Sequence, residues 1–307
     1  MPSHEKYSGI YPAFYACYNH EGMVDASRVR MFTRYLISKG VQGLYVGGTS
    51  GECIYQSVQE RKLILENVLC EAKGKVTVIA HVACNNTADS CLLAKHAQEA
   101  GVDAIAAIPP IYFKLPPHAI ADYWNEISSN APATDFFIYN IPRLAGVELT
   151  VNLLQEMLKN PRVVGVKNSS PSAEDIQKFR SIGGKDFVVF NGPDEQFISG
   201  RVMGAVGGIG GTYGVMPELF LKANAFLLQG DLASALAVQD DIDCIIRVMQ
   251  SCKGNLYAVE KEVLRMHGVD IGGVRKPLPA LYEQDLPAVK KVDDLITASI
   301  KHWCMDS

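Results

Sequence analysis

Eight short runs rich in Val, Ile and aromatic residues recur along the first two thirds of the chain, and their order limits the possible folds more than any other feature. They occupy residues 9–17, 43–48, 76–83, 104–110, 136–142, 163–167, 187–192 and 207–212. Continuous rather than alternating apolar runs of this length mark parallel strands buried on both faces. Between them lie stretches of helical period, such as 27–39, where Val29, Phe32, Leu36 and Ile37 share a face. Strand-then-helix units in series predict an α/β fold, a (β/α)8 TIM barrel. After the eighth run the pattern is helical only, at 218–229, 232–250, 256–267 and 287–302, with Gly272, Gly273, Pro277 and Pro279 separating the last two. Residues 1–215 are therefore expected to supply the strands and most barrel helices. Residues 216–307 should add the final barrel helix and a C-terminal helical extension, within one structural unit.

Composition removes several function classes. No apolar run approaches the ~18 residues needed to cross a bilayer, and residues 1–18 lack the pattern of a signal peptide, so a cytoplasmic location is expected. A net charge of −4 with scattered Lys and Arg argues against nucleic acid as a partner. The eight cysteines include no CxxC pair and the seven histidines no HxH or HxxxH spacing, so reduced thiols and no metal site are expected.

In such a barrel the strand C-termini and the loops after them build the active site. Lys167 ends the apolar run Val163-Val164-Gly165-Val166-Lys167, where a charge needs a reason. An amine of pKa ~10.4 is neutral in roughly one molecule in a few thousand at pH 7, and desolvation raises that fraction so that it can attack a carbonyl. A lysine paired with a rim carboxylate would look the same in sequence. Tyr139 lies in the adjacent run at a comparable height, where a phenol could shuttle the proton that Schiff-base chemistry requires. Gly47-Gly48-Thr49-Ser50-Gly51-Glu52 follows the second run, and its small residues let backbone N–H groups and two hydroxyls approach the carboxylate of a 2-oxo acid. In Asn191-Gly192-Pro193-Asp194-Glu195 the acids suit the first turn of a helix, or they accept hydrogen bonds from sugar hydroxyls. Two carboxylates near the glycines of 207–211 would repel a phosphate and favour an uncharged polyol.

Taken together these residues resemble the pyruvate-dependent class I aldolases, the family of dihydrodipicolinate synthase and N-acetylneuraminate lyase. The similarity runs from Gly9 to about Leu281. It is carried by Gly48-Thr49-Ser50-Gly51-Glu52, Pro109-Pro110-Ile111-Tyr112, Tyr139-Asn140-Ile141-Pro142, Gly165-Val166-Lys167, Gly207-Gly208-Ile209-Gly210 and Arg275-Lys276-Pro277. The resemblance implies that Lys167 forms the imine, that Tyr139 moves the proton and that Thr49 and Ser50 hold the substrate carboxylate. It implies that Tyr112 completes a hydroxyl relay, in many members toward a neighbouring subunit, and that the chain forms a homotetramer. Where the synthase branch has an arginine this chain has Leu144, with Arg143 one place earlier; the lyase branch has leucine there and an acid pair like Asp194-Glu195. Ser169 replaces a common threonine with another hydroxyl. Gly211 stands where lyases often have a serine that binds the substrate tail.

The expected reaction is therefore reversible cleavage of N-acetylneuraminate, a sialic acid, to pyruvate and N-acetylmannosamine by a carbon–carbon lyase. No metal or external cofactor is expected, because the protonated imine serves as the electron sink. The substrate-binding set is Thr49, Ser50, Ser169, Gly192, Asp194, Glu195 and Gly211. The rivals are a related aldolase acting on another 2-keto-3-deoxy acid or condensing pyruvate with a shorter aldehyde, and a non-catalytic barrel that binds 2-oxo acids.

Overall fold

Where the sequence places its eight apolar runs, the computed structural model, which describes residues 3–305, has eight strands. They are β1 (Gly9–Pro12), β2 (Gly43–Val46), β3 (Thr77–His81), β4 (Ala104–Ala107), β5 (Asp135–Asn140), β6 (Val163–Asn168), β7 (Val188–Asn191) and β8 (Gly207–Gly210). All pairings are parallel, each strand beside its sequence neighbours and β1 beside β8. A parallel bridge from Ala13 to Tyr45, with the Phe14 N–H donating to the Tyr45 carbonyl at 2.9 Å, joins β1 to β2 and closes the ring. The fold is a TIM barrel with C-terminal helices. Residues 1–2 and 306–307, the outer ends of the predicted segments 1–215 and 216–307, lie outside the described residues.

Two apolar cores follow from the alternation of side chains along these strands. The inner one is aromatic and includes Tyr7, Tyr11, Tyr45, Phe137, Tyr139 and Phe190; the outer one packs the sheet against the ring of helices. The inner rings need room, and Gly165 on β6 provides some, since a Cβ there would collide with the Phe137 ring and the Val188 carbonyl.

The first apolar run is longer than its strand. Residues 15–18 leave the ladder yet stay buried: the Tyr15 ring stacks on Phe32 of the helix Ala26–Ser38, and the Tyr18 N–H donates to the Ile271 carbonyl of the C-terminal segment at 3.0 Å. The four C-terminal helices are Pro217–Leu228, Leu232–Gln250, Leu256–Met266 and Leu286–Ile300. Asn255 caps the third by accepting from the Tyr257 N–H at 3.0 Å, which sets Tyr257 at the mouth of the barrel. Among the described residues no helix is long and apolar enough to cross a membrane.

Candidate active site

A cavity of about 1000 Å³ opens at the C-terminal ends of the strands. Its floor is Lys167. In register on neighbouring strands, Tyr139 of β5 stands beside Lys167 of β6, and Asn140 beside Asn168. Residues of equal register point to the same face, so both reactive side chains enter the barrel. A buried polar chain behind them fixes the two strand ends. Asn140 Nδ2 donates to Asn168 Oδ1 at 2.8 Å, Asn168 Nδ2 to Ser170 Oγ at 3.0 Å, and Ser170 Oγ to Asp175 Oδ2 at 2.7 Å.

Lys167 is only 4% exposed. Its Nζ lies 4.1 Å from the centroid of the Tyr139 ring and 4.3 Å from that of Tyr45, and no carboxylate pairs with it among the described residues. The rim ion pair left open by the sequence is therefore absent from the described residues. Beyond these rings, His81 on β3 is held neutral by burial and by the nearby Arg61 and Lys167 charges, which push its pKa well below the ordinary value. Its Nδ1 faces the Gly47 carbonyl at 2.9 Å, and its Nε2 accepts from the Ile108 N–H at 3.3 Å.

Thr49 and Ser50 border the cavity from the loop after β2. That loop ends at Glu52, whose φ of 54° lies in the left-handed region that few non-glycine residues adopt. The C-terminal segment holds it there, because Lys261 Nζ donates to Glu52 Oε1 at 2.7 Å and the Arg275 N–H to Oε2 at 2.9 Å. The Arg275 guanidinium reaches Glu60 and the carbonyls of Tyr55 and Gly22. The Arg275-Lys276-Pro277 motif thus stands beside the loop that it helps to fix.

Ser169 and Gly192 form one wall, their contact so close that a Cβ on Gly192 would strike Ser169 Oγ. Asp194, Glu195 and Gly211 form another. Asp194 is buried, and its Oδ2 accepts from both the Thr212 N–H and hydroxyl at 2.7 Å, tying the loops after β7 and β8 together. Glu195 is exposed and accepts from Gln250 Nε2 at 3.2 Å. At Gly211 a Cβ would sit 3.3 Å from Ser50 Oγ and 3.7 Å from Tyr257 Cε1, so the glycine leaves a small recess. Leu144 and Arg143 both line the mouth.

Tyr112 is not brought to the site within a single chain. It is 90% exposed on the loop after β4, has φ 84°, and among the described residues its ring meets that of Phe113, at 5.0 Å. Conversely, sequence reading passed over Tyr45, Tyr257 and Lys261. Tyr45 could have been found by the argument applied to Tyr139, as a tyrosine one place before a strand end; Tyr257 and Lys261 carry no local signal.

Burial raises the Asp194 carboxyl from 3.8 to about 6, the Glu195 charge adds to this, and the Thr212 hydrogen bonds and Lys167 oppose it. Because the folded value lies above the ordinary one, Asp194's contribution to stability is complete below about pH 4 and is lost as pH rises through about 6. That interval corresponds to about 3 kcal/mol. Relative to wild type, Asp194→Asn is expected to gain up to about that much stability between pH 4 and pH 7.5. Urea unfolding at the two pH values checks this, and a difference that stays constant with pH would refute it.

The chain belongs to the dihydrodipicolinate synthetase family, whose model matches residues 6–295. It is 58% identical to an N-acetylneuraminate lyase of Mediterraneibacter gnavus, over 99% of this chain and 96% of that one. Among solved structures it resembles a catalytic-lysine mutant of Ruminococcus gnavus sialic acid aldolase, at 57% identity and TM-score 0.97, over 97% of this chain and 98% of that one. CdNal from Clostridium difficile, solved with mannosamine, matches at 29% identity and TM-score 0.89, over 94% and 98% of the two chains.

Proposed function

We propose that this chain is a Schiff-base lyase that cleaves N-acetylneuraminate reversibly to pyruvate and N-acetylmannosamine. The observation that carries the reading is the buried Lys167 Nζ, without a carboxylate partner among the described residues, at the floor of a cavity with room for a nine-carbon sugar acid, beside Tyr139. In the unprotonated state the Lys167 amine adds to the C2 ketone of the open-chain sugar acid, and loss of water with uptake of one proton gives the protonated imine. The C4 hydroxyl gives up its proton toward Tyr139 through the substrate carboxylate, which Thr49 and Ser50 hold. The C3–C4 bond then breaks, its electron pair moving to the imine nitrogen and leaving N-acetylmannosamine. Protonation at C3 and addition of water release pyruvate and restore the amine.

The rest of the cavity suits an uncharged polyol tail. Leu144 offers no cation for a second carboxylate, and Ser169, Glu195 and the Gly192 backbone offer polar groups around the cavity. Arg143, exposed at the mouth, is a cation that could favour a shorter dicarboxylate, the related-aldolase alternative. Steady-state assays on N-acetylneuraminate and on shorter 2-keto-3-deoxy acids distinguish the two. Highest kcat/KM on N-acetylneuraminate is expected, and a marked preference for the short acids would overturn the proposal. The same reading makes the enzyme a cytoplasmic homotetramer in which Tyr112 reaches a neighbouring subunit's site. The exposure and left-handed backbone of that tyrosine support this.

A further inference from the structure

Tyr45 is fully buried on β2, and its hydroxyl has no hydrogen-bond partner among the described residues. Burial pushes its pKa well above the ordinary phenol value, so this group neither ionises nor relays a proton. What it turns toward the site is its ring face. Lys167 Nζ sits 4.3 Å from that ring's centroid and 4.1 Å from that of Tyr139, with the two rings 5.8 Å apart and 81° to one another. Both distances are within the ~6 Å range of cation–π attraction. The loop sequence accommodates this arrangement: a Cβ on Gly48 would lie 2.7 Å from Tyr45 Cε1, so the glycine gives the ring its place.

We propose that Tyr45 is a further catalytic residue, its ring face acting with that of Tyr139 as a cage that keeps the nitrogen of the Lys167 imine positively charged. The inference rests on the imine reading above. Taken from the ammonium form, condensation with the ketone releases one water with no net gain or loss of protons, so the positive charge stays on the same nitrogen. A neutral imine is a poor acceptor of the C3–C4 electron pair, whereas the protonated one draws it in. Burial alone works against the charge, and few other groups compensate. Around Nζ, β3 presents the neutral His81, β5 the Tyr139 phenol, β7 the apolar Phe190, and the loop after β7 the buried Asp194. The two rings favour the cation by a separate route that needs no carboxylate, and so no competing proton acceptor, against the imine.

The test replaces Tyr45 by phenylalanine and by 3,4,5-trifluorophenylalanine, which are nearly equal in size but differ in the negative potential of the ring face. Each enzyme is incubated with pyruvate and cyanoborohydride, which reduces protonated imines only, across pH 6 to 10, and the label at Lys167 is measured by mass spectrometry. Tyr45→Phe keeps the ring face and loses only an unpartnered hydroxyl, so its labelling midpoint is the reference against which the trifluoro enzyme is read. The trifluoro enzyme should lose its label at lower pH, its protonation equilibrium being weakened by roughly 3- to 30-fold, or about 0.5 to 1.5 pH units. Equal midpoints in the two ring variants would overturn the cage while leaving the imine intact, as would loss of label in Tyr45→Phe itself. Absence of label at Lys167 in the wild type would overturn the imine reading and the cage with it.

Discussion

Replacing Lys167 by methionine is expected to abolish turnover while leaving the protein at least as stable as the wild type. The reasoning has a catalytic and a structural half. Loss of the nucleophile removes the covalent route entirely, and effects of this kind reach at least about 10⁴-fold in turnover, or about 5.5 kcal/mol in the barrier. A lysine that served a structural ion pair would behave differently, since its removal would strand a buried carboxylate. No carboxylate pairs with Lys167 among the described residues; it is 4% exposed, and its Nζ lies over the faces of Tyr45 and Tyr139. Methionine has nearly the same length, and its thioether sits well between aromatic rings. Melting temperature, N-acetylneuraminate turnover and borohydride labelling with pyruvate check the three parts. More than about 1% residual turnover would be incompatible with a covalent role for this residue.

The parts of the molecule that sequence reading found are those whose signals are local. Buried parallel strands appear as apolar runs, and Lys167 stands out because a charge ends one of them. The helices after β8 have clear periods and stops, and the observed Leu232–Gln250 matches the expected 232–250. What was missed depends on distant or ambiguous partners. The run 9–17 looks like one strand because residues 13–18 are as buried as β1, although beyond Phe14 the burial comes from Phe32 and the C-terminal segment rather than from the sheet. Tyr45 looks like any core aromatic until Lys167, more than a hundred positions later, is set over its ring. The acid pair looks like a unit in the sequence, yet Asp194 ties two loops together through Thr212 whereas Glu195 stays exposed at the cavity wall, a division that depends on where β8 ends. Tyr112 shows the opposite limit: its motif is plain in the sequence, but a single chain gives its side chain nothing to do.

Lys261→Met is expected to be among the most destabilising single changes outside the barrel strands, at about 3–5 kcal/mol, because it leaves a buried carboxylate without its cation. Lys261 and Glu52 have side chains 1% and 0% exposed and lie 2.7 Å apart, and Lys261 Nζ also donates to the Gly273 carbonyl at 2.7 Å. Burial draws the Lys261 pKa below its ordinary value, with the Glu52 charge opposing that shift, so the ammonium depends on its partner to remain ionised. The pair also does a second job. It holds Glu52 at φ 54°, a conformation costing about 1–2 kcal/mol for an L residue, at the close of the turn that presents Thr49 and Ser50. Once the carboxylate is released, the turn is free to relax and the KM for pyruvate should rise, whereas kcat, set at Lys167 and Tyr139, should change less. The double variant Glu52→Gln/Lys261→Met removes the stranded charge while keeping an acceptor for the Arg275 N–H. It should recover more than half of the lost stability, because replacing both partners is far less costly than removing one. Urea unfolding of the two singles and the double gives the coupling energy, and pyruvate KM values report the turn. Strictly additive losses, or a Lys261→Met enzyme of wild-type stability, would show that the C-terminal helix merely covers the barrel and does not hold its catalytic loop.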